Sequence, residues 1–193
     1  MRDWNDWIDN EELGQIVFQL GTRPLLTVES PIPETWKSRL TNIKRGDVLL
    51  HKFSPTGFYS SAVKNPLING MVQRSERQIA YSSQQAGEHQ HQLDVGVKGK
   101  NYWVTQADLL RAREWDMLGF TMALKTPDNT VVFETPETAA EIRKDQADCM
   151  GCLSHCAFSS WKDHDNFSTG YLADPRSFCI QKALQGIAHG EDP

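Results

Sequence analysis

All four cysteines of this 193-residue chain fall in its last quarter, at Cys149, Cys152, Cys156 and Cys179. This clustering limits what the chain can build more than any other feature does. Cys149-Met150-Gly151-Cys152-Leu153-Ser154-His155-Cys156 gives C-x2-C-x3-C, and Cys179 follows after 22 residues. A C-x2-C turn lets two thiolates converge on one centre, a third cysteine extends the loop, and a distant fourth closes the shell. Four thiolates serve either a [4Fe–4S] cluster or a structural zinc ion. Three close cysteines and a remote one favour the cluster, since zinc ribbons more often carry two separated C-x2-C pairs. Thiols packed in a core without metal are the third reading. In a reducing cytoplasm, the expected compartment, such clustering argues against a disulfide framework. His155, between two of the cysteines, is expected in a supporting or exposed role.

The last helix is expected from Pro175 to about Ala188, with Asp174 as N-cap. Cys179 would then sit in its second turn, where the positive end of the helix dipole stabilises a thiolate. Arg176 and Lys182 are nearby cations that would offset a net-negative cluster.

Upstream, 39% hydrophobic and 23% charged residues are enough for a packed core. Alternation predicts a strand over Gln15 to Leu20, and Trp36, Leu40 and Ile43 predict a helix over Glu34 to Ile43, with Pro33 at its start. Short strands are expected at Val48–Phe53, Gly57–Val63, Arg77–Tyr81, Gln92–Val97, Tyr102–Val104 and Thr130–Phe133. Thr105 with Asp108 three residues on forms a capping box, and Gly119 suits the end of the helix that follows. Pro127-Asp128-Asn129 is a turn, Pro136 to Ala147 a helix, and Gln84 to His91 an exposed polar loop. Trp103, Trp115 and Trp161 are expected in packing roles, with Tyr102-Trp103 also weighed as a pocket lining.

Some function classes are disfavoured. The net charge is −5, the pI is near 5.7, and no Lys/Arg run exceeds two residues, so neither nucleic acid nor an anionic membrane is an expected partner. No apolar stretch approaches the roughly 20 residues of a membrane span, and the start lacks a signal-like apolar region.

A strand leading into Gly21-Thr22 before a turn and helix can offer backbone amides and a hydroxyl to a phosphate. The string Phe18-Gln19-Leu20-Gly21-Thr22-Arg23-Pro24-Leu25-Leu26-Thr27-Val28-Glu29-Ser30 resembles the late barrel strand of nitronate monooxygenases, also called 2-nitropropane dioxygenases. Similarity continues through the helix carrying Trp36 and Lys37, through Asp47 to Gly57, and to Ala62-Val63-Lys64-Asn65. It covers about residues 14 to 70, and a cysteine-bearing subgroup of the family resembles the remainder. The cysteine spacing is also similar to the cluster loop of iron–sulfur flavoenzymes of the dienoyl-CoA reductase kind, whose last gap is shorter. Pro24 departs from the Phe common in the family and removes an amide hydrogen.

The resemblance implies the C-terminal part of an FMN-dependent oxidoreductase acting on a small organic molecule. Gly21 and Thr22 would touch the FMN phosphate, and Cys149, Cys152, Cys156 and Cys179 would hold the metal. The implied architecture is mixed α and β in three parts: a terminal strand-helix of a (β/α)8 flavin barrel (1–45), an α+β extension (46–148) and the cysteine loop with its helix (149–193). A whole barrel takes about 250 residues, so its earlier strands and the family's catalytic histidine are expected upstream of Met1. None of the six histidines sits in a matching motif, and no catalytic residue is assigned. The alternative is a non-catalytic, metal-stabilised module that self-associates or pairs with a separate chain completing the barrel.

Overall fold

The computed structural model describes residues 22–95, 100–149, 151–152, 156–159 and 172–189. The chain divides into two compact units, residues 1–45 and 46–193. The strand read over Gln15 to Leu20, and Gly21 after it, lie outside the described residues. In the first unit, α1 (Thr22–Leu25) is a single helical turn, and α2 (Glu34–Thr41) follows with Pro33 at its N-cap position. Lys37 Nζ bonds Glu34 Oε1 at 3.0 Å across one turn of α2.

The second unit is mixed α and β. Its elements are β1 (Val48–His51), β2 (Ser60–Val63), α3 (Pro66–Glu76), β3 (Gln78–Ala80), β4 (His91–Val95), β5 (Lys100–Val104), α4 (Gln106–Met117), β6 (Met122–Lys125), β7 (Thr130–Glu134), α5 (Pro136–Ala147) and α6 (Ile180–Ala188). Hairpins β1-β2 and β4-β5 are antiparallel, and the main sheet has the order β3-β7-β6, also antiparallel.

Strand β7 explains where the cores lie. Successive side chains of a strand point to opposite faces. Val131 and Phe133 enter one cluster with Ile79, Tyr102, Val104 and Ala112 of α4. Val132 enters another with Leu124, Ala139 and Ile142 of α5. Both faces are covered, so Thr-Val-Val-Phe reads as a continuous run rather than an alternation. A third cluster, Phe53, Ile68 and Met71, lies between β1-β2 and α3 and takes in Phe178 beside Cys179.

The ends of α4 follow local chemistry. Thr105 Oγ1 accepts from the Asp108 amide at 3.1 Å. At the other end Gly119, at φ +94°, donates to Asp116 O, and Phe120 N–H reaches back to Trp115 O at 2.9 Å. This is a Schellman closure, and Trp115 and Phe120 also pack on the first core. Thr105→Ala is expected to cost about 1 kcal/mol in urea unfolding. An unchanged midpoint would mean the cap contributes nothing.

Several expectations need correcting. Helix α3 and strand β6 were not foreseen. The last helix begins at Ile180, because residues 174–177 form a turn in which the Arg176 amide donates to Asp174 Oδ1 at 2.9 Å. Tyr102 is a core residue, set edge-on against Tyr81 and bonded by Lys125 Nζ, not a pocket lining. Among the described residues no helix is long and apolar enough to cross a membrane.

Candidate metal centre

The four cysteines arrive from three places. Cys149 comes directly after Asp148, the C-cap of α5. Gly151 then takes φ +69°, a left-handed conformation that a glycine adopts without steric cost, and its N–H points to Cys149 Sγ at 3.4 Å. An amide aimed at sulfur stabilises the charged thiolate that a metal requires. Cys152 is exposed, Cys156 is buried, and Cys179 is half-buried.

The segment holding Cys156 is tied on both sides. Ala157 N–H donates to Pro55 O at 2.5 Å, and Ala157 O accepts from Asp174 N–H at 2.7 Å. Cys179 lies at the start of α6, where its carbonyl accepts from Ala183 at 3.1 Å and makes the helix's first turn. That position is closer to the positive end of the dipole than the second turn expected from sequence.

The other three thiols each act on Cys152. The Cys152 thiol is pushed above its ordinary range, first by burial and then by the thiols of Cys149, Cys179 and Cys156. Among the described residues no three His, Cys, Asp or Glu side chains are grouped as they would be around one ion. Four zinc–sulfur bonds of about 2.3 Å would require such a grouping. Four thiols, one of them accepting an amide hydrogen bond, have the chemistry of a thiolate-bound cluster, but they are not gathered around a common point.

The two nearby cations have other work. Arg176 holds Asp174 with Nε at 2.9 Å and Nη2 at 2.8 Å, and reaches Asp128 Oδ2 at 2.9 Å and Gln78 Oε1 at 3.1 Å. It clasps the turn before Cys179 to the β6-β7 connection. Lys182 Nζ bonds Asp145 Oδ1 at 2.6 Å and joins α6 to α5. Both cations are therefore bound to carboxylates, so the offset of cluster charge expected of them is largely spent within these pairs.

Burial works against the charged form of Asp128. Hydrogen bonds from Thr126, Arg176 and Thr130, with the attraction of Arg176, outweigh it and hold the carboxyl below its ordinary value of 3.8. A depressed folded value means the clasp contributes fully above pH 3.8 and is lost as pH falls through the lower, folded value. The stability difference between the wild type and Asp128→Asn should shrink towards zero between about pH 5 and pH 2. A difference independent of pH in paired urea titrations would remove this carboxylate from the clasp.

The remaining sequence candidates are dispersed. His51 stacks on Phe53, with centroids 3.5 Å apart, and its Nδ1 accepts from Lys52 N–H at 2.8 Å. Burial, then Arg176, lowers its pKa. His89 lies in the exposed loop, His91 opens β4, and His189 follows α6. His155, His164 and Trp161 lie outside the described residues. Thr22 opens α1, and with Gly21 outside the described residues the phosphate turn is not delineated.

Two features had no sequence signal. Glu134, buried at the end of β7, accepts from Arg74 Nε at 2.9 Å and Arg77 Nη2 at 2.8 Å, and Arg74 Nη1 continues to Pro175 O at 2.8 Å. A cleft of about 350 Å³ also opens between α3, α5 and α6, with Cys179 in its wall. Compared with known protein families, curated proteins and solved structures, the chain matches none.

Proposed function

We propose that this chain is the C-terminal part of an FMN-dependent oxidoreductase of the nitronate monooxygenase kind, and that Cys149, Cys152, Cys156 and Cys179 hold a [4Fe–4S] cluster. The metal half of this reading rests on the C-x2-C-x3-C spacing with the distant Cys179, and on the Gly151 amide aimed at Cys149 Sγ at 3.4 Å. A bound cluster supplies one-electron transfer. The protein's own part is to hold four sulfurs in register. The Gly151 amide supports Cys149, the bonds to Pro55 and Asp174 fix the Cys156 segment, and the Arg176 clasp sets the start of α6.

The flavin half rests on the likeness of the string around Gly21-Thr22 to the family's phosphate turn. Gly21→Val is expected to abolish FMN binding in the flavin-loaded protein, since a Cβ would block phosphate approach. Undiminished FMN affinity would count against that turn.

A second reading has its own support. Residues 46–193 form a compact unit with three hydrophobic clusters and all four cysteines. Such a unit suits a metal-stabilised module that pairs with a barrel-forming chain. Anaerobic purification with a visible spectrum, flavin assay and metal analysis separates the readings. Yellow-brown protein with flavin and iron supports the oxidoreductase. Brown protein that bleaches with dithionite and holds no flavin supports a cluster-bearing module, and colourless protein with stoichiometric zinc a zinc module. Protein without metal under any loading condition sinks the proposed centre.

A further inference from the structure

We infer that the cleft between α3, α5 and α6 is a binding site for a small organic anion with an apolar body, of the aromatic-carboxylate class. The inference does not need the metal or the flavin, although Cys179 of the proposed centre lies in the cleft wall. Its first support is a charge count. Glu134 offers one carboxylate, and Arg74 Nε and Arg77 Nη2 both bond its Oε1. The three side chains are 14%, 15% and 5% exposed for Arg74, Arg77 and Glu134, so a net positive charge is held away from bulk water. An opposite charge at short range is worth more there than at the surface.

One of the two guanidinia reaches the cleft wall, that of Arg74, whose Nε and Nη1 are held by Glu134 and Pro175 O. Arg77 is closed off, with its guanidinium 3.9 Å from the Phe120 ring centroid and its Nε on Phe133 O. Arg74 is one of the cleft's lining residues. The start of α6 is at the same cleft and adds the positive end of its dipole. Of the other charged residues lining it, Lys182 and Asp145 neutralise each other. Glu141 is an exposed carboxylate, whose repulsion of a bound anion is screened by solvent and salt.

The second support is the rest of the lining. Leu67, Met71, Ile142, Phe158 and Phe178 make the cleft mainly apolar, and its volume falls in the usual range for small-molecule sites. Two phenylalanines favour a flat ring over a flexible chain. A purely polar anion such as phosphate would leave this surface unused.

The test is titration calorimetry on the full chain, with 3-phenylpropionate and its uncharged primary amide. The acid is expected to bind saturably and the amide at least about tenfold more weakly, because the charge-assisted contact to the arginine is lost. Ala183→Phe, which fills the cleft from α6, is expected to abolish binding with circular dichroism unchanged. No binding of the acid, equal binding of acid and amide, or full affinity in a folded Ala183→Phe protein would each overturn the site. The acid–amide comparison uses the unaltered protein and stands whatever that substitution does to folding.

Discussion

Glu134→Gln is expected to destabilise the protein by about 3–5 kcal/mol, the cost of leaving buried charge without its partner. Glutamine keeps the shape of the side chain and one acceptor, so little packing is lost. What disappears is the carboxylate that Arg74 and Arg77 share, both of them mostly buried. The guanidinia cannot neutralise themselves by releasing a proton, so the penalty falls on the fold. Arg74 also bonds Pro175 O, so the loss should reach the turn that precedes Cys179. Melting temperature should fall by about 10 °C, with the urea midpoint moving in step. The Lys144–Asp148 pair provides the contrast, since its side chains are 74% and 60% exposed and its removal should leave the melting curve unchanged. If the two variants melted alike, the buried triad would contribute no more than a surface pair.

Legibility in the sequence followed the range of the interactions. The α4 caps were readable because Thr105, Asp108 and Gly119 act within a few residues of themselves. Pro136 marked α5 for the same reason. Helix α3 also carried a local signal, since Asn65 Oδ1 accepts from Ile68 N–H at 2.8 Å and Pro66 is its first residue. Asn69 and Gly70 in its middle lower its helical propensity and obscured that signal. Strand β6 exists because β7 is there to pair with it, and Met-Ala-Leu-Lys alone shows no period. Pro175 was read as a helix start by a sound rule, but the Asp174–Arg176 bonds keep its segment in a turn and delay the helix to Ile180. The four cysteines stand in the sequence only as candidates. The contacts around them do not show there, because Arg74 and Glu134 are 60 residues apart and Arg176 and Asp128 are 48 apart. No local pattern announces a contact at such range.

Cys152→Ser and Cys156→Ser should each lower metal affinity at least about a thousandfold, equivalent to about 4 kcal/mol at the site. Each would remove one of the four proposed thiolate ligands, and a hydroxyl is a poor substitute for soft, charged sulfur. The pair is informative because the two residues differ in burial: Cys152 is exposed and Cys156 buried. If the thiols serve a common inorganic centre, burial is irrelevant to metal loss. Both variants should then be depleted in metal, and both should loosen the segment from Cys149 to α6. If the thiols are packing groups, the outcomes divide. Cys156→Ser would lose stability by placing a hydroxyl among apolar neighbours, while Cys152→Ser would be silent, since an exposed thiol has little packing to lose. Metal analysis and hydrogen exchange over residues 172–189 on both variants read the two outcomes directly. A silent Cys152→Ser beside a damaged Cys156→Ser would sink the metal centre, because a shared site cannot dispense with one of its ligands and depend on another.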